Sequence, residues 1–468
     1  MSETSWPFIG PEPALRSRAL ARRSVFPRVR FDIVALVTVY LAVLLFIPSS
    51  LVFRPLGGIG TPAMILSLLV LLWYAISWLT GKVVPTGSGR PIRLAVLAFA
   101  LAVLASFVAA MTRTIPVAET LGAQRGLITV LSWSGLVVVL SQGISRYEQI
   151  DVIMRRTVVF GSVVALIAIF EFYSGINVTN YIRIPGLSLN LDYSTLLTRG
   201  SFNRPSSTAV DPIECSVSMA ILLPFALHQA FDPARTSRIR RWLPVVLIGF
   251  AIPLTISRSG IIGAAIALLF LVPTWKPRQR RGFLLALLGV LAVLKVAAGG
   301  LLGTLDAYFT GLFNTAGDGS VYSTRVSALS LDWPYISARP LFGRGWGTFL
   351  PETYSWTDNM YLHILIETGI VGLICLILLY LTGIQCGAAG RRKTQDPRRR
   401  DFGQALVAAI AAAMVTSAMF DSLSFPMFSG LIFLILGTAG AYDGIMTKEE
   451  YTSGFLAGSG HSVTSGRR

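Results

Sequence analysis

The chain has 468 residues, of which 53% are hydrophobic and only 13% charged, and its mean hydropathy is +0.65. A soluble protein of this length needs more charged surface, so composition excludes that class and points to a membrane protein. The net charge of +17 would suit a nucleic-acid partner, but the basic residues fall in alternate loops between apolar runs, which excludes that reading.

Residues 1–30 carry Arg16, Arg18, Arg22, Arg23, Arg28 and Arg30 without a short apolar core and small-residue cleavage site. They read as a basic cytoplasmic N-terminus leading into a signal anchor. A helix crosses the hydrocarbon in about 20 mostly apolar residues. Such runs predict an all-α polytopic membrane protein of about 12 transmembrane helices, near 31–52, 61–80, 92–111, 125–143, 157–174, 212–231, 242–256, 259–274, 282–303, 359–386, 403–421 and 426–443. The first nine occupy 31–303, a long extracytoplasmic loop takes 304–358, the last three lie within 359–443, and 444–468 is a cytoplasmic tail. The seventh and eighth are short and separated only by Ser257-Arg258-Ser259. Cationic loops flank the pair on both sides, which favours a tight outer hairpin over one broken helix.

Most of the 40 Lys and Arg sit in the N-terminus, 82–93, 146–156, 235–241, 276–281, 391–400 and the tail. That is the positive-inside pattern, and it sets N-in/C-in with an even number of spans. Arg391-Arg392-Lys393 and Arg398-Arg399-Arg400 are read as topology signals and anionic-lipid contacts. Cys215, Cys375 and Cys386 all fall in predicted spans and imply neither a disulfide framework nor a zinc site.

The informative cations are those on the other side. Arg183, Arg199 and Arg204 precede the sixth span, Arg258 sits in the tight outer turn, and Arg325, Arg339 and Arg344 lie in the long loop. Arginine offers a planar fork of donors suited to phosphate and carboxylate. Snorkelling to lipid headgroups accounts equally well for Arg183, Arg199 and Arg339. Arg258 is flanked closely by apolar helix, which points to function. Before the sixth span, Asp211-Pro212-Ile213-Glu214 is a helix-capping arrangement.

In the long loop, Val321, Val326, Leu329, Trp333 and Ile336 recur at roughly helical spacing, with Ser323, Arg325 and Asp332 between them. This predicts an amphipathic helix over Ser320 to Ile336 lying on the outer membrane surface. Pro340-Leu341-Phe342-Gly343-Arg344-Gly345-Trp346-Gly347 then forms a glycine-rich turn. Asp358 is placed to cap the tenth span. Asn359, His363 and Glu367, at i, i+4 and i+8, share one face of that span and should meet protein or water.

Three segments together resemble the superfamily of O-antigen ligases and polymerases. They are Arg204-Pro205-Ser206-Ser207-Thr208 with Asp211-Pro212-Ile213-Glu214, then Thr255-Ile256-Ser257-Arg258-Ser259-Gly260, and last a combination spread over the long loop. That combination is Arg325, Trp333, Pro340-Leu341-Phe342-Gly343-Arg344-Gly345 and Asp358-Asn359-Met360-Tyr361-Leu362, ending in Ile366-Glu367-Thr368-Gly369. The resemblance covers about 200–386, and the first five spans match only in general character.

The resemblance implies a glycosyltransferase-C-like, metal-independent inverting enzyme without a cofactor, at the outer face of the plasma membrane. Its donor would be a glycan on undecaprenyl pyrophosphate and its acceptor a hydroxyl of a glycan or lipid. Arg204, Arg258, Arg344 and Arg325 would hold the pyrophosphate, where developing charge needs positioned cations. Asp358 would be the base, where ligases of the family usually carry a histidine directly before the asparagine, with His363 as the alternative. Asn359, His363, Glu367 and Glu214 would support these groups. A transporter, either a lipid-linked glycan flippase or a small-solute permease, is the competing class, although no internal repeat supports it. A partner protein of a polysaccharide-assembly complex is the third reading.

Overall fold

The computed structural model describes residues 32–81, 89–190, 196–232, 237–297, 300, 303, 321–355 and 357–459. Of the leading segment through Asp32, only Asp32 itself is described, and the helices form the unit that begins at Ile33.

The described helices are α1 (Ile33–Phe46), α2 (Pro62–Leu79), α3 (Arg90–Met111), α4 (Val117–Gly143), α5 (Tyr147–Ser174) and α6 (Pro212–Ala230). They continue with α7 (Arg238–Leu254), α8 (Arg258–Leu271), α9 (Pro277–Ala297), α10 (Val321–Ala338), α11 (Met360–Lys393), α12 (Pro397–Thr416) and α13 (Pro426–Ser459). Proline opens α2, α6, α9, α12 and α13, where its fixed φ suits the first turn and its missing N–H is no loss.

Seven of these helices are long and apolar enough to cross a membrane, and α1 and the stretch Arg258–Thr274 are shorter apolar helices. On α3, Leu94, Leu97, Leu101, Leu104 and Val108 are exposed along one face while Val96, Phe99 and Val103 are buried behind them. An apolar face turned outward at helical spacing inverts the pattern of a soluble surface helix. The chain is a mostly helical, multi-pass membrane protein. Its core surrounds α13, where 94% of the apolar stretch is buried, against 22% for α2 on the rim.

The bundle has two ends. At the first, Glu214 of α6 accepts from the N–H groups of Met427 and Phe428 in α13 (2.6 and 3.2 Å), and Met360 N donates to Ser417 O beyond α12 (2.9 Å). This end also carries Arg258. At the opposite, basic end, Lys393 pairs with Asp443 (2.6 Å), His228 with Asp401 (2.7 Å), and Arg398 with Asp232 (2.9 Å) and Asp151.

The chain reverses between α7 and α8. Arg241, near the start of α7, reaches Ala230 O at the end of α6 (3.4 Å), and Ile252, near its end, accepts from Ser216 Oγ at the start of α6 (3.5 Å). Helix α8 then runs in the direction of α6, with Gly260 against Ser216 and Gly263 against Ala220. The turn is held by Ile256 at φ 52°, a left-handed conformation that strains a β-branched residue.

Two features depart from the all-helical expectation. Leu51–Val52 pairs antiparallel with Ser188–Leu189, and Leu197–Arg199 with Phe202–Arg204, the latter a hairpin turning at Gly200 with φ 61°. The predicted tenth span is also not one continuous helix, because α11 breaks at Gly369 (φ 68°, ψ −168°).

Candidate active site

The hairpin before α6 brings Arg199 and Arg204 to the α7–α8 turn. Arg204 Nε donates to Thr255 O (3.2 Å) and Arg199 Nη1 to Ile256 O (3.2 Å). These carbonyls close the C-terminal end of α7, where backbone dipoles favour a cation. Arg258 follows two residues later as the first residue of α8. There its charge adds to the positive end of a helix dipole, an arrangement that favours a bound anion. Three of the arginines singled out in the sequence, drawn from two segments, therefore meet at one turn. Arg183 is exposed outside this group, and the side chain of Arg325, on α10, lies outside the described residues.

The second part of the site is built by the break in α11. Breaking the helix at Gly369 frees carbonyls before it and N–H groups after it, and in a membrane interior each must be paired with protein. The glycine-rich segment supplies partners on both sides: Arg344 N to Ile366 O (3.0 Å), Gly345 N to Glu367 O (2.8 Å), Ile370 N to Pro340 O (2.8 Å) and Val371 N to Leu341 O (3.3 Å). A Cβ on Gly369 would overlap the Leu341 carbonyl, and one on Gly343 would overlap the backbone of Glu367. The segment that reads as a sharp turn is thus an insertion into a helix, and its glycines serve close backbone approach.

Above the break, His363 lies between two carboxylates. Its Nε2 meets Glu367 Oε2 (3.1 Å), and its Nδ1 meets Asp421 Oδ2 (3.1 Å) and Thr357 Oγ1 (2.8 Å). Glu367 also accepts from Phe349 N (2.9 Å), so it ties the loop to the helix. Asp332 of α10 is buried and accepts from Ser355 Oγ (3.0 Å). Burial pushes its carboxyl above the usual carboxylate range, with Ser355 and nearby His363 acting the other way.

Arg344 is enclosed. Its guanidinium bonds Glu119 of α4 (3.3 Å) and the Tyr354 hydroxyl, and sits 4.2 Å from the Tyr354 ring centroid and 5.1 Å from that of Tyr335. Arg113 shares Glu119 at 3.7 Å and donates to Arg344 O (2.6 Å). Burial, then neighbouring Arg344 and Arg339, lower the pKa of Arg113 from its ordinary value. Arg339 is exposed.

Two expectations about this region change. The cap of α11 is Asn359, whose side chain accepts from Tyr361 N (3.0 Å) and Leu362 N (3.4 Å), while Asp358 is exposed one residue earlier. A side chain at the residue with extended backbone immediately before the helix reaches its first N–H groups, and φ −156° gives that place to Asn359. The loop helix also turns differently: Asp332 and Ile336 are buried while Trp333 (59%) and Leu331 (67%) are exposed. The polar residue faces inward because Ser355 pairs with it. Asp211 and Glu214 do cap α6, through Ile213 N (2.7 Å) and Val210 N (2.7 Å).

Sequence reasoning does not single out Asp421, Glu119 or Tyr354. Asp421 lies in the short connection between α12 and α13, and a carboxylate in a predicted outer turn is the one available signal. Glu119 is separated from Arg344 by 225 residues, and nothing local announces the pair. The two parts of the site are neighbours through α12: Gly263 of α8 packs on Thr416, and the next residue, Ser417, accepts from Met360 N. Among the described residues, no group of His, Cys, Asp and Glu could hold a metal ion.

A helical membrane bundle with arginines gathered at one turn and a loop threaded into a broken helix is the class this geometry defines. Residues 243–377 match the family model described as O-Antigen ligase. The match supports the O-antigen ligase and polymerase superfamily, glycan-transferring membrane proteins of polysaccharide biosynthesis. It includes Arg258, Arg325, Arg344, Asp358, Asn359, His363 and Glu367, whereas Arg204, Glu214 and Asp421 lie outside it. No curated protein matches the chain.

Proposed function

We propose that the chain polymerises or ligates glycans carried on undecaprenyl pyrophosphate, at the outer face of the plasma membrane. In this reading about twelve helices cross the bilayer in a glycosyltransferase-C-like arrangement, N-in/C-in, and the end carrying Arg258 faces outward. The observation that carries it is the convergence of Arg199, Arg204 and Arg258 on the α7–α8 turn. A pyrophosphate leaving group accumulates negative charge as the glycosidic carbon is attacked, and cations already in place stabilise it without reorganisation. Arg204 and Arg258 hold the pyrophosphate. Arg344, stacked on Tyr354 and paired with Glu119, orders the loop beside it.

The acceptor hydroxyl must lose its proton as it attacks. Asp358 is the base: it is exposed at the mouth of α11, and Asn359 takes the capping role. His363, held between Glu367 and Asp421, is the second candidate. No metal is required in this scheme, and inversion follows from single displacement.

Deleting the gene and resolving lipid-linked intermediates and surface polysaccharide on a size ladder tests this. Single repeats accumulate if a polymerase is lost, and long chains stay on the lipid if a ligase is lost. Unchanged glycans with reduced uptake of a solute would establish the transporter instead.

A further inference from the structure

A cavity of about 910 Å³ opens at the basic end, opposite Arg258. Its walls come from the end of α6, the start of α7, the α8–α9 connection and the α11–α12 connection. Arg238, Arg241, Lys276, Arg278, Arg391 and Arg400 line it. Its two carboxylates are engaged, Asp232 by Arg398 (2.9 Å) and Asp401 by His228 (2.7 Å).

Two of the arginines are fixed in place. Arg241 Nη1 donates to Asp232 O (2.9 Å) and Arg391 Nη1 to Gln404 Oε1 (2.8 Å). Yet the Nε of each is buried without a hydrogen-bond partner. A buried charged donor left unsatisfied is costly, and an oxyanion entering the cavity beside either arginine would offset that cost. One wall is apolar: Trp242 lines the cavity and packs edge-on against Phe231 (5.5 Å). Helix α9 leaves the rim at Gln279 and Gly282 and then exposes Leu284, Leu285, Leu288 and Leu291. Charge at the mouth continuing into an exposed apolar helix suits a molecule with an anionic head and a hydrocarbon tail.

We propose that this cavity binds a phosphate-bearing anion, with the head group of an anionic membrane phospholipid as its source. Positive residues near a membrane surface attract such lipids by about fivefold in affinity each. The test uses the full-length protein in nanodiscs of phosphatidylcholine alone, with phosphatidylglycerol added, or with inorganic phosphate added. Lipid retention in native mass spectra and the melting temperature are read together. Phosphatidylglycerol should be retained and raise the melting temperature. Retention should fall about fivefold per charge removed in Lys276→Gln and Arg278→Gln, at the exposed rim, and in Arg241→Gln. Lys448→Gln, which removes equal charge at an exposed position outside the cavity, should leave it unchanged. Stabilisation by inorganic phosphate alone, with the same dependence on Lys276 and Arg278, keeps the site and assigns it a soluble phosphate. Equal loss in Lys448→Gln, or no response to either anion, overturns the proposal.

Discussion

The ion pairs of the basic end and the α7–α8 turn use arginine differently. At the basic end, cations meet carboxylates across helices, as in Arg398 with Asp151 and Asp232, Lys393 with Asp443, and Arg399 with Glu449. At the α7–α8 turn, Arg199 and Arg204 donate to the Ile256 and Thr255 carbonyls. A carboxylate cancels the charge it binds, whereas a carbonyl only orients it. The same residue type therefore staples helices to one another in the first place and fastens a hairpin to a turn in the second. Charge counting along the chain reads the first role well and the second poorly, because the second depends on which acceptors the fold supplies.

The largest effects should fall on chemistry at the site end. Asp358→Asn should lower glycan transfer by about 10²–10⁴, the usual contribution of a general base, without lowering the melting temperature. Arg258→Ala should cost about 10²–10³, as removal of a positioned charge-stabilising donor does. Both are measured by polymer length and transfer rate in membranes containing equal amounts of protein, and near-normal polymer from either variant would remove that residue from the site. The reverse holds for the paired end: Lys393→Gln should leave transfer intact.

The threaded loop comes next, with an effect on stability. Gly369→Ala meets both a positive φ and the Leu341 carbonyl, so it should cost roughly 1–3 kcal/mol or more and lower the melting temperature. A wild-type melting curve would show that the insertion yields without strain. Asn359→Ala should cost about 1 kcal/mol as the loss of a cap, while Asp358→Ala should not. If the two variants melt in the opposite order, the cap belongs to Asp358.

The smallest effect concerns pH. Burial raises the Asp332 carboxyl in the folded protein, so the folded state holds its proton to higher pH than the unfolded chain does. Stability from this group is present below the ordinary aspartate range and declines as pH rises through the raised value. Asp332→Asn should flatten that decline and make the variant slightly more stable than wild type at neutral pH. Thermal melts taken from acid to neutral pH would show parallel curves if Asp332 contributes nothing.

Much of this molecule is written in short-range pattern. Runs of about 20 apolar residues determined the helices, since burying backbone in hydrocarbon leaves few alternatives to a helix. Each of the twelve apolar runs coincides with a described helix, although among the described residues seven helices are long and apolar enough by themselves to cross a membrane. Asp211, Pro212 and Glu214 determined where α6 begins, because capping acts within one turn. The shared face of His363 and Glu367 followed from helical period alone.

Only the tertiary structure decided the rest. That Gly369 breaks α11 depends on the backbone of 340–345 arriving to pair with the groups the break exposes. Glu119 with Arg344, and Asp421 with His363, join segments far apart in sequence. Periodicity and spacing describe a chain's relation to its own neighbours. Contacts between distant segments depend on how helices pack, and packing is settled by the whole set of faces at once. The arginines at the α7–α8 turn were visible one by one in the sequence, but it took the reversal at Ile256 and the hairpin at Gly200 to make them one site.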